Sequence, residues 1–286
     1  MAATPLTVSA TPDPSWCGSA RLAYTHDGGK TVLAQNYAQA PLKLQRPLYP
    51  EGDSVCHSVL VHTAGGMVGS DRIHIAADLA PASRALVTTA AANKIYRSQG
   101  QTAQQVTQLS LSENACLEWL PQETIVFNGA YFFQQTRIDL AVGSVWLGWD
   151  ITRFGRSARG ETFQQGCWRS HLEVWQAGRP LWLDRQFLAG GSETLTSLHG
   201  LAGHPVVASL VLVGYAPTPD DMEKLRTLGR PDAPAEVGIT RLQQGLLCRY
   251  RGASSQAARQ WFVALWGQLR PAYLNRPAGV SRIWGV

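Results

Sequence analysis

The chain reads as all-β, built from mostly antiparallel strands or from β-helix-like stacked sheets, with two α-helices in its C-terminal third. Three observations predict this. Short β-rich runs separated by turn residues recur from Arg21 to Tyr250. Wide helical apolar faces or helix start and stop signals occur at only two places, both late in the chain. A strand–turn–strand phrase also repeats: Leu79-Ala-Pro-Ala-Ser-Arg-Ala-Leu is echoed by Leu111-Ser-Glu-Asn-Ala-Cys-Leu and by Leu140-Ala-Val-Gly-Ser-Val-Trp. The leading leucines lie 32 and then 29 positions apart, a period that fits stacked units. An ordinary β-meander accounts for the echo almost as well.

Residues 1–15, with three prolines and small polar side chains, read as a loose N-terminal tail, and 16–286 as one domain, since no composition shift marks a boundary. HDGGK (26–30) between RLAY and TVLAQ is a hairpin signal. Strands are then expected at 58–62, 72–79, 84–89, 104–111, 116–120, 131–140, 144–150, 171–176, 180–188, 206–215, 236–243 and 246–250. Pro219 to Leu228 opens with Pro and two Asp and stops at Gly229, which predicts a helix. The segment 230–236 reads as a loop. Ser254 or Ser255 caps a second helix, expected to run to about Leu269 and to stop at Arg270-Pro271. Its Ala258, Trp261, Phe262, Leu265, Trp266 and Leu269 form a wide apolar face that either packs on the domain's own sheet or docks a partner.

Composition narrows the function. The chain has 286 residues, 45% of them apolar, so it can bury a core without staples. Only 16% are charged, which leaves little charge to cover the surface and hints at a large contact area. The net charge of +5 comes from scattered residues with no basic block, which disfavours nucleic acid as partner. Five cysteines without a CxxC pair fit reduced thiols in a cytoplasmic protein. The first residues do not read as a signal peptide, and no apolar run of about 18 residues predicts a membrane span.

The usual catalytic signatures are absent. GGMVGSD (65–71) lacks the Lys-Ser/Thr ending of a phosphate loop and stands between strands; Asp71 either caps that turn or serves a site. Seven histidines show neither HxH nor HExxH, and no GxSxG elbow occurs. Ten tryptophans are many. Trp119, Trp149 and Trp182 each have an acid close by, in Glu118, Asp150 and Asp184. Tryptophans and paired carboxylates on a β-scaffold can form a glycan cleft, as in a carbohydrate-active enzyme. The plainer account of the tryptophans is core packing with hydrogen-bonded tips. An acid inside an apolar strand faces solvent if one face is open, or needs a partner or an aqueous passage if both are covered.

Four segments in order carry a resemblance: HTAGGMVGSD (62–71), TTAAANKIYRS (88–98), LEWLPQETIVF (117–127) and GRSARGETFQQG (155–166). With HDGGKTVLA, QRPLYPEG and the closing RIWGV, they resemble the urease accessory protein D family (UreD, or UreH in some bacteria) over roughly residues 18–286. The resemblance implies a mostly β fold with two helices and a non-enzymatic chaperone of urease maturation. It implies UreF, the GTPase UreG reached through UreF, and apo-urease as partners. It also implies transient Ni²⁺ rather than a bound cofactor, passing along a water-filled, carboxylate-lined route. The matching positions are Asp71, Asp150 and Asp184, with Asn93 and Glu118 as further wall candidates. Trp261, Leu265 and Trp266 are the candidate partner contact. Two departures stand out: GSD where GGD is usual, which strains Ser70 if its φ is positive, and Asp184 where Glu is frequent.

Overall fold

The computed structural model describes residues 16–229, 231, 234–279 and 284; the expected tail, 1–15, and part of the expected 230–236 loop lie outside them. β1 (Cys17–Asp27) and β2 (Lys30–Gln39) form the expected hairpin, with Gly28 and Gly29 at φ 53° and 82° in a two-residue turn that needs left-handed backbone at both positions. β3 (Leu42–Leu44) pairs antiparallel with β4 (Cys56–His62). From there the chain winds between two sheets. β5 (Arg72–Leu79), β8 (Ala103–Leu111), β11 (Ala130–Leu140) and β13 (Gly166–Gln176) lie parallel in the first. β4, β6 (Arg84–Thr89), β9 (Cys116–Leu120) and β12 (Val145–Phe154) lie parallel in the second. β7 (Asn93–Ile95) and β10 (Thr124–Val126) form a short ladder beside β12. β14 (Arg179–Ala189) closes the first sheet; β15 (Val206–Val213), β17 (Gly245–Gly252) and β16 (Ala235–Leu242) extend the second, all antiparallel. The first sheet thus runs β14-β13-β11-β8-β5-β1-β2 and the second β16-β17-β15-β12-β9-β6-β4-β3.

The parallel centre decides between the two all-β forms in favour of stacked, β-helix-like sheets. It also explains the echo. Leu79, Leu111 and Leu140 are direct cross-strand neighbours, and so are Arg84, Cys116 and Val145 on the other side of the turn. Three positions after each leucine the chain steps into left-handed backbone, at Ala82 (φ 60°), Asn114 (57°) and Gly143 (76°). Each turn is closed by one bond of its own: Ser83 N–H to Ala80, Ala115 to Ser112 and Ser144 to Ala141. It is tied to the turn below by Ser112 N–H to the Leu79 carbonyl and Ala141 N–H to that of Leu111. The repeat is therefore one coil of a solenoid, in which each turn satisfies the backbone of its neighbour.

One apolar cluster fills the space between the sheets, from Leu22, Ile75 and Leu109 on one side to Leu117, Trp146 and Val211 on the other. A second lies under the helices, on the outer face of the second sheet. α1 (Pro219–Thr227) is started by a capping box in which Thr218 and Asp221 exchange hydrogen bonds. α2 spans Ser255–Leu274, capped by Ser254, whose hydroxyl accepts from Ala257 N–H at 3.2 Å. The expected stop at Arg270-Pro271 does not occur. Arg270 and Leu274 are both buried beyond the expected end. Those anchors offset the ~3 kcal/mol that an internal proline costs. The helix ends instead at Asn275 in left-handed backbone. Trp261, Leu265 and Trp266, the candidate partner contact, are buried against the second sheet with Leu147, Trp149 and Leu210. Their face is the chain's own core. Among the described residues no helix is long and apolar enough to cross a membrane.

Candidate functional site

Strand alternation puts a polar side chain on the inward phase of strand after strand. In the first sheet Gln105, Gln134, Ser170 and Gln186 are successive cross-strand neighbours on β8, β11, β13 and β14. In the second sheet Asp150, Ser209 and Arg249 align across β12, β15 and β17. Asn93, Thr124 and Thr152 align across β7, β10 and β12. Beyond Thr107 and Thr136, which share the inward phase, the flanking inward positions are apolar, among them Leu109, Phe132, Trp146 and Val211. A polar layer thus cuts through an apolar core, where each group must be paired or hydrated.

The layer is bonded across both sheets. Gln134 Nε2 donates to Asp150 Oδ2 of the opposite sheet and to Ser170 Oγ at 2.9 Å. Thr152 Oγ1 lies 3.5 Å from Asp150 Oδ1. Asp184 accepts from Gln186 Nε2 at 2.9 Å and from Arg249 Nη2 at 2.8 Å, and Arg249 Nη1 donates to Ser209 Oγ at 2.7 Å. Burial pushes the Asp150 carboxyl up to about 6; the bond from Gln134 opposes this, the nearby Asp184 charge adds to it, and Thr152 and Arg249 oppose it.

A cavity opens on each side of this bridge. The first, of about 350 Å³, is lined by Asn93, Gln105, Gln134, Asp150 and Ser170 together with Trp119, Trp146 and Trp149. The second, of about 360 Å³, is lined by Gln186, Ser209, Gly238 and Arg249. Three residues lining the first carry buried polar atoms without a hydrogen-bond partner: His62 Nδ1, Asn93 Oδ1 and Trp146 Nε1. Such atoms around one roomy polar cavity are what water or a hydrated guest satisfies. Burial holds His62 below its ordinary pKa, against the pull of Asp71. The lining offers carboxylate, amide and hydroxyl oxygens, which bind a divalent ion such as Ni²⁺ weakly and exchangeably. Among the described residues no three His, Cys, Asp or Glu side chains gather as a closed metal site.

The structure thus places Asp150 and Asp184 together and puts Asn93 on the wall of the adjoining cavity. Asp71 stands apart. Its carboxylate accepts Val68 N–H at 2.8 Å and Trp16 N–H at 3.1 Å, so it caps the turn before β5. Gly69, at φ 53°, takes the left-handed step there, and Ser70 is not in left-handed backbone, so the GSD departure brings no such strain. Glu118, expected on the passage wall, faces the other way. On β9, Leu117 and Trp119 point between the sheets and Glu118 points under α2, where Arg270 Nε (2.9 Å), Trp266 Nε1 (2.6 Å) and Tyr273 Oη (2.5 Å) all donate to it. This also removes the glycan cleft: Trp119, Trp146 and Trp149 are core residues, and Glu118 and Asp150 lie on opposite faces of one sheet. Reading acids alone missed Gln134, Ser170, Gln186, Ser209 and Arg249. Their signal is a polar residue, sometimes two, on the inward phase of β8, β11 to β15 and β17, which becomes visible once the strands are put in register.

The UreD urease accessory protein family model matches residues 17–285. Among curated relatives, the chain is 55% identical to the urease accessory protein UreD of Nostoc punctiforme over 95% of this chain and 96% of that one. It is 55% identical to that of Acaryochloris marina over 94% and 95%, and 52% identical to that of a Nostoc species over 94% and 96%.

Proposed function

The chain belongs to the UreD urease accessory protein family, whose members are accessory proteins rather than enzymes, and we propose that it acts as a chaperone of urease maturation in the cytoplasm. In this reading it bridges apo-urease to UreF and, through UreF, to the GTPase UreG. It passes nickel to the urease active site through the polar layer between its sheets. GTP chemistry then belongs to UreG. The observation that carries the reading is the Gln134–Asp150 and Asp184–Arg249 bridge with a cavity on either side. Nickel is cargo here, so weak oxygen ligands are an asset: they replace part of its water shell and let it move on. Gln134, itself held by Ser170, orients the Asp150 carboxylate, and the buried tryptophans confine the route.

The test is co-expression of the full chain with the urease subunits and the other accessory proteins, reading nickel per active site and complex assembly. Asp150→Ala and Asp184→Ala are expected to assemble normally and to lose most nickel loading. Asp71→Ala is expected to weaken folding, through its lost turn cap, more than loading. Normal loading in both Asp150→Ala and Asp184→Ala would reduce the chain to a scaffold. Failure of the wild-type chain to bind these partners or to affect loading would remove the maturation reading itself.

A further inference from the structure

We propose that Arg249 is the counter-ion gate of the inter-sheet route: it neutralises Asp184 while the route is closed, and swings aside to free that carboxylate when a divalent cation crosses. The inference rests on the passage reading above, in which Arg249 enters only as the partner of Asp184, and assigns that arginine a role of its own.

The placement is specific. Arg249 sits on β17 in register with Ser209 and Asp150, and it lines the second cavity. Among the described residues its guanidinium is held by the Asp184 and Ser209 side chains, and 39% of the side chain is exposed. Arg251, two residues on, is held differently: it donates to the backbone carbonyls of Leu198 and Gly200 and pairs with Glu236, pinning a loop over the same cavity. Backbone carbonyls do not move with a rotamer, whereas Asp184 and Ser209 can both release Arg249 without disturbing the fold. A guanidinium cannot shed its charge near neutral pH, so a cation arriving at Asp184 meets a carboxylate already neutralised until Arg249 leaves. Room for that movement exists. Directly across from Arg249 on the edge strand β16 is Gly238, and a Cβ built there meets nothing within 4 Å. Gly238 is not in left-handed backbone, so no conformational demand explains a glycine at that spot.

Two substitutions push the gate in opposite directions. Arg249→Gln removes the counter-charge, and Gly238→Val fills the space beside the arginine. In purified complexes of the full chain with its accessory partners, the initial rate of nickel transfer to apo-urease is expected to rise several-fold in Arg249→Gln and to fall by a similar factor in Gly238→Val. Mn²⁺ binding to the same complexes, followed by electron paramagnetic resonance, is expected to tighten by about three- to fivefold in Arg249→Gln, because a carboxylate is freed beside Asp150. If Asp150→Ala blocks transfer while both variants transfer and bind as wild type, the gate is overturned and the passage stands. If Asp150→Ala transfers normally, the passage fails and takes the gate with it. Should Arg249→Gln not assemble, Gly238→Val decides alone: slower transfer in an intact complex supports the gate, and wild-type transfer overturns it.

Discussion

Two carboxylate–arginine clusters flank the second sheet, one on each face, and they do opposite things. On the helix side, Arg270 is wholly buried and Glu118 is 1% exposed. Arg270 also pairs with Glu51 at 2.7 Å and donates to the Pro277 carbonyl, while Trp266 and Tyr273 complete Glu118. Glu51 in turn accepts from His57 at 2.6 Å. Between the sheets, Arg249 is 39% exposed and Asp184 14%, with Ser209 and Gln186 as their further partners. The first cluster is a clasp that fastens α2 and the segment before β4 to the sheet. The second can open. What separates them is the number of fixed partners and the access of water, since the residue types are the same.

The largest expected effect breaks the clasp. Glu118→Gln leaves Arg270 short of its buried counter-charge and should cost about 3–5 kcal/mol, read as a lower midpoint in denaturant. Arg270→Met should cost as much, because it strands two carboxylates. A loss below about 1 kcal/mol in either would mean that the cluster is no more than a surface-grade pair.

The next effect separates the clusters by pH. Asp150 titrates at about 6 in the folded chain against an ordinary 3.8, so the native state holds its proton longer. Stability should therefore fall as pH rises from about 4 through 6, by on the order of 2 kcal/mol, and Asp150→Asn should flatten that slope. At Glu51, burial pushes the carboxyl up, but the bonds from His57 and Arg270 outweigh it and hold it at about 2, against 4.5. That contribution is present above about 4.5 and is lost as pH falls toward 2. Glu51→Gln should remove the acid limb of the stability curve and leave the Asp150 limb in place. Urea midpoints taken from pH 2 to 8 would show both limbs, and a wild-type curve that is flat between pH 4 and 7 would refute the Asp150 assignment.

This contrast marks how far the chain could be read before its strands were paired. Glu118 and Asp150 look alike in sequence: each is an acid next to a tryptophan in an apolar strand. The strand positions were legible because alternation is local. Three-residue strands such as β7 and β10 were not, since they carry too few residues to show a period. The leucine echo was legible as a repeat, and the shared left-handed step at Ala82, Asn114 and Gly143 shows why it works as one. The face on which an acid lies depends on register across several strands, a non-local fact. For the same reason the helix-stopping reading of Pro271 failed: the anchors that carry α2 past it are Glu51 and Glu118, more than 150 residues earlier.

The smallest expected effect is also the sharpest test of the comparison. A double-mutant cycle on Asp184 and Arg249 should give a coupling below about 1 kcal/mol, because with Arg249 39% exposed the attraction is already screened by water and salt. The same cycle on Glu118 and Arg270 should exceed that several-fold, since each partner removed alone leaves a charge sealed from solvent. The value of the weak coupling is functional. A pair worth several kcal/mol would leave its arginine released in only about one molecule in a thousand, taxing a passing ion by that fraction, whereas one near thermal energy is open for an appreciable share of the time. If the Asp184–Arg249 coupling matches that of Glu118–Arg270, both clusters are clasps, and the route between the sheets is shut at Asp184.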